Sequence, residues 1–104
     1  MKFKINNNFS RSASDILRKV GYKPIFDQKT GKSSYVRNLT GQRYPRFHLY
    51  LKESGDDIIF DLHLDQSKTL YKGQKAHNAD YDTPEVKEEL VKIYQEVKKW
   101  INTI

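Results

Sequence analysis

Two stretches of the chain, Arg46-Phe47-His48-Leu49-Tyr50-Leu51 and Phe60-Asp61-Leu62-His63-Leu64-Asp65, alternate apolar and polar residues, and each carries a histidine at a polar position. Side chains along a strand point to opposite faces in turn. Phe47, Leu49, Leu51, Phe60, Leu62 and Leu64 therefore share one face, while His48, Tyr50, Asp61, His63 and Asp65 share the other. Imidazole accepts and donates protons near neutrality, so two of them a few ångströms apart can serve as general base and general acid in phosphodiester cleavage, with no metal. His77 or Tyr50 would add a proton relay, and Arg46 or Arg43 would stabilise charge on a pentacoordinate phosphorus. The alternative use of these residues is metal binding, in which His48, His63, His77 and Asp80 supply the nitrogen and oxygen donors that zinc or non-haem iron accepts. A third reading gives them no chemistry and treats them as hydrophilic residues on a solvated sheet face.

The hydrophilic segment Glu53-Ser54-Gly55-Asp56-Asp57 joins the two stretches and predicts an antiparallel hairpin. Keeping both apolar sets on one face restricts paired residue numbers to an odd sum, and 109 and 111 both suit this loop. The first sum sets His48 opposite Asp61 and Arg46 opposite His63. The second, through a four-residue turn, sets His48 opposite His63 and Tyr50 opposite Asp61. In either register the imidazoles are direct or diagonal neighbours, with Cβ atoms within about 8 Å.

The surrounding elements must hold this ribbon. Ile16, Leu17 and Val20 recur at helical spacing between serines suited to capping and Gly21 as a stop, predicting a helix near residues 11–20. Residues 22–27 and 33–39 flank Gln28-Lys29-Thr30-Gly31-Lys32, which predicts a first hairpin. Residues 66–82 show no period and read as a long connection containing His77 and Asp80. At Thr83-Pro84-Glu85 an N-cap, a first-turn proline and an acid open a helix. Its apolar stripe, Val86, Leu90, Ile93, Val97, Trp100 and Ile104, should lie across the inner face of the sheet.

A chain of 104 residues with 37% hydrophobic content suits one compact domain, and residues 1–9 read as a frayed lead-in to it. The absence of cysteine excludes disulfides, iron-sulfur ligation and thiolate zinc sites. No stretch has the length or apolarity of a signal peptide or a membrane span, so no membrane partner and a cytoplasmic location are expected. The net charge of +6 is unevenly spread, with 12 Lys and Arg against only Asp15 and Asp27 in residues 1–52. A basic half interleaved with aromatics is suited to a phosphate backbone and stacked bases. Lys32, Arg37, Arg43, Arg46, Tyr35 and Tyr44 are the candidate contacts, and an acidic protein is the other partner such a charge would attract.

The stretch Leu17-Arg18-Lys19-Val20-Gly21-Tyr22, followed by a small antiparallel sheet bearing a histidine and then a closing helix, resembles the HicA-type toxins. That resemblance implies a double-stranded-RNA-binding-like fold and mRNA cleavage, with His48 in the place of the family's catalytic strand histidine. Phe47-His48-Leu49-Tyr50 and Leu62-His63-Leu64-Asp65 are also similar to the paired motifs of two-histidine phosphoesterases, although Tyr50 and Asp65 stand where those have Thr or Ser. His-Leu-Asp-Gln segments like His63-Leu64-Asp65-Gln66 look like those of small bacterial proteins of unassigned function. The expectation is a single α+β domain in which an N-terminal helix, two hairpins forming one small sheet, and a long C-terminal amphipathic helix leave one sheet face open. That face should bind RNA or another phosphate-containing ligand and cleave it with His48 and His63, using no cofactor. The alternatives are a His/Asp metal enzyme and a non-catalytic interaction module.

Overall fold

The computed structural model describes residues 1–68 and 77–102, with side chains through Gln66 and again from Tyr81. Its centre is the expected second hairpin, β4 (Arg46–Ser54) against β5 (Asp57–Lys68). Ser54 pairs with Asp57 across Gly55-Asp56, which selects the sum of 111 and sets His48 opposite His63. Gly55 has φ of +63°, a conformation that glycine adopts without the Cβ penalty.

The first hairpin also forms, as β2 (Lys23–Asp27) and β3 (Lys32–Asn38), and β3 docks antiparallel on β4 with Val36 opposite His48. The sheet then departs from the two-hairpin expectation. Residues 2–6 are not frayed: β1 (Lys2–Asn6) pairs with β5, setting Phe3 opposite Phe60. The tie continues at Phe9, which bridges Ile101, and at Asn8, whose carbonyl accepts from the Asn102 amide at 2.9 Å. β6 (His77–Asp80) lies in what read as structureless connection and pairs with the far part of β5 through a register shift between Asp65 and Ser67. The strand path is β1-β5-β4-β3-β2, with β6 also on β5. All pairings are antiparallel, so the fold is α+β.

Both helices cover the leucine face. α1 (Ala13–Lys19) begins at Ser12, whose hydroxyl accepts from the Asp15 amide at 3.1 Å. It ends with Gly21 donating to the Arg18 carbonyl and Tyr22 to that of Leu17, the paired closing bonds that need a left-handed residue, and Gly21 has φ of +94°. α2 (Pro84–Lys98) buries Val86, Leu90, Ile93 and Val97, as its periodicity requires, while Ile104 lies outside the described residues. These side chains meet Ile16, Leu17, Phe47, Leu49, Phe60, Leu62 and Leu64 in one apolar cluster. Burying each large side chain stabilises the fold by about 1.5–3 kcal/mol. Among the described residues, no helix is long and apolar enough to cross a membrane.

A buried carboxylate sits on this apolar side. Glu89 is 6% exposed and takes Tyr22 Oη at 2.6 Å and the Arg37 guanidinium at 2.8 and 3.0 Å. The bonds join α2 to β3 and to the exit of α1. Burial first, and then the Glu89 carboxylate, pushes the Tyr22 hydroxyl far above the usual phenol range. Removing one member of such a set strands the others in a poorly solvated site. Glu89→Ala should therefore lower the unfolding free energy by about 2–3 kcal/mol in urea titrations, while Glu88→Ala on the exposed side should change it by less than about 0.5 kcal/mol. Equal effects from the two substitutions would show that the buried carboxylate ties nothing together.

Candidate functional site

Cross-strand pairing assembles the polar face. Val36, His48 and His63 lie in one row across β3, β4 and β5, and Asn38, Arg46 and Asp65 in the next. The imidazole centroids are 5.0 Å apart and tilted by 47°. Tyr50 stacks on His48 at 4.5 Å and lies 5.7 Å from His63, and Tyr81 flanks His63 at 5.2 Å. The aromatic rings shield the histidines, which are 7% and 5% exposed, so this face is not the open surface the alternation implies.

Asp65, 3% exposed, organises the group. Its Oδ2 faces His48 Nδ1 at 3.0 Å and Arg46 Nε at 3.3 Å, and its Oδ1 lies 2.8 Å from His63 Nε2. Burial alone would raise its pKa. The hydrogen bonds from His48 and His63, joined by their charges, outweigh that and hold the carboxyl well below the ordinary carboxylate range. A carboxylate only accepts, so His48 Nδ1 and His63 Nε2 are both donors. In neutral His48 this leaves Nε2 as the acceptor, and the atom facing it, 2.7 Å away, is Ser34 Oγ. Ser34, His48 and Asp65 thus form a hydroxyl-imidazole-carboxylate chain running across β3, β4 and β5. Tyr50 is raised as well, by burial first and then by the Asp65 charge.

Beside this chain opens a groove of about 620 Å³ between the β2–β3 turn and the polar side of β4. Ser34, His48, Tyr50, Arg46, Lys32 and Phe26 border it, and Phe26 is 62% exposed. His48 reaches the groove, whereas His63 lies behind it beside Tyr81.

The candidate residues distribute as follows. His48, His63 and Tyr50 come together, and Lys32 and Arg46 join them at the groove. Arg46 also lies over the Tyr44 ring at 4.7 Å. Arg37, expected to contact nucleic acid, instead binds Glu89 on the helix side, and Tyr35 packs against the apolar cluster there, because odd-numbered β3 residues face the helices. Arg43 is exposed in the loop before β4 and is not among the residues bordering the groove. His77 and Asp80 have backbones in β6, opposite Lys68 and Leu64, and their side chains lie outside the described residues. Among the described residues, the donor atoms close enough to share a cation are those of His48, His63 and Asp65, all within 4.8 Å of one another. Sequence reasoning missed Ser34 as a site residue and Asp65 as the shared partner. Both occupy the polar register of strands, but their meeting depends on how β3 docks on β4. No known family matches the chain, and neither a curated protein nor a solved structure was found to be similar to it.

A carboxylate with a depressed pKa adds stability that is complete above its unfolded-state pKa of about 4 and is lost as pH falls toward its folded value. Asp65→Asn should accordingly be less stable than wild type at pH 7. The gap should narrow by about 1.4 kcal/mol per pH unit below about pH 4. Urea midpoints at both ends of that range would measure it, and a gap independent of pH would contradict the ionised, shared carboxylate.

Proposed function

We propose that the groove binds RNA or another phosphate-bearing ligand, and that His48 promotes its cleavage as a metal-independent general base. The supporting observation is that His48 borders the same groove as Lys29, Lys32 and Arg46, with Tyr50 beside them. The cations attract phosphate, and the half-exposed Tyr50 ring offers a face on which a base stacks. Asp65 orients His48 and stabilises the imidazolium that forms when it takes a proton. His63, set back from the groove, is a positioning residue that acts through Asp65, whereas strand alternation alone assigns it an equal part in the chemistry.

A metal-dependent version has one observation in its favour, the convergence of His48, His63 and Asp65 donors. Loss of their protons would turn these atoms into ligands for zinc or iron. The bonded arrangement, with Arg46 beside the same carboxylate, fits the metal-independent reading better.

Binding to a single-stranded RNA pool should weaken with added salt, and Lys32→Ala should lower the magnitude of the salt slope by about 1. Cleavage should proceed in the presence of a chelator and fall by about 100-fold or more in His48→Ala. Activity abolished by the chelator would transfer the site to the metal reading. Binding that survives with no cleavage by wild type would leave a non-catalytic module.

A further inference from the structure

We infer that the hydroxyl activated by His48 is that of Ser34, which acts as a nucleophile on a phosphodiester and carries the phosphoryl group covalently. The inference rests on the phosphate-ligand reading of the same groove and specifies its chemistry. Three observations carry it. Ser34 is 7% exposed in the middle of β3 and is one of the residues that border the groove, so a held side chain sits beside the space a ligand would enter. Its Oγ is 2.7 Å from His48 Nε2, and His48 Nδ1 is 3.0 Å from Asp65 Oδ2. Because Asp65 only accepts, neutral His48 presents its lone pair to Ser34, the direction of proton flow that a nucleophilic hydroxyl needs. Arg46 and Lys32 at the groove supply the positive charge that a phosphorane requires.

The step balances without a co-reactant other than water. Ser34 Oγ attacks phosphorus and gives its proton to His48 Nε2. The P–O bond to the leaving alcohol breaks, and that oxygen takes the proton from His48. Water then loses a proton to His48 as its oxygen bonds to phosphorus, and Ser34 Oγ leaves and recovers the proton. Neither half-reaction uses a ribose 2′-hydroxyl, so a 2′-deoxy oligonucleotide or a simple phosphodiester is also a substrate.

The test uses the full chain with bis(4-nitrophenyl) phosphate, an anionic diester with a coloured leaving group, and with matched ribo- and 2′-deoxyribo-oligonucleotides. The expected results are nitrophenolate release, an aryl phosphate adduct on the Ser34 peptide after acid quench, and cleavage of both oligonucleotides. Ser34→Ala and His48→Ala should each lower the release rate by about 100-fold or more. Circular dichroism would verify that the variants fold. Ser34→Cys keeps a nucleophile at the position and should show a phosphorothiolate adduct even if turnover stops. Cleavage of RNA alone, with no adduct and full activity in Ser34→Ala, would overturn the inference and leave the proposed function standing. An adduct on another residue would overturn it too, and failure to bind any oligonucleotide would overturn both.

Discussion

One buried carboxylate has to satisfy donors from two strands, and the polar face of this sheet is arranged around that requirement. Asp65 is in contact with His48, His63 and Arg46, each within 3.3 Å. A charge this deep is costly to desolvate, and the cost is offset only when its lone pairs are filled by well-placed donors. Filling them decides much else. The Nδ1 proton of His48 is committed to Asp65, the orientation of His63 is set by the other oxygen, and Ser34 is left as the partner of the remaining His48 nitrogen. A general base needs a fixed tautomer, and residues on three neighbouring strands supply one here.

The helix-covered face repeats the device for a different end. Glu89 gathers Tyr22 and Arg37 as Asp65 gathers its imidazoles, but its partners come from β3 and the exit of α1, under the body of α2. That carboxylate is buried, and its bonds tie α2 to the sheet. Asp65 adjoins a groove lined with cations and the half-exposed Tyr50 ring. The two sites differ in what a ligand could reach, and that difference, more than the hydrogen-bonding itself, is why the proposed chemistry is assigned to the His48 side.

Much of this was legible in local pattern. Period-two alternation located β4 and β5 and assigned their faces, and the cap residues Ser12 and Thr83 marked the helix starts. The neighbourhood of His48 and His63 followed from strand pairing alone. Other features depend on long-range register that local sequence does not encode. The docking of β3 on β4 brings Ser34 to His48 and turns Arg37 and Tyr35 to the helix side. Lys2-Phe3-Lys4-Ile5-Asn6 has strand alternation but is short and highly polar, and only the free edge of β5 makes it a strand. Burial of the histidines was unreadable for a related reason: Tyr81, which packs on His63, lies far along the chain beyond β6.

Protonation of the two imidazoles tests the shared carboxylate most directly, through long-range proton–nitrogen NMR correlations of the histidine rings at alkaline pH, where neutral imidazoles carry one ring proton. The account predicts the proton on Nδ1 of His48 and on Nε2 of His63, with Nε2 of His48 bare, and loss of that preference in Asp65→Asn. A bare Nδ1 on His48 in the wild-type protein would contradict it, because Asp65 would then not be the acceptor on which the chain to Ser34 depends.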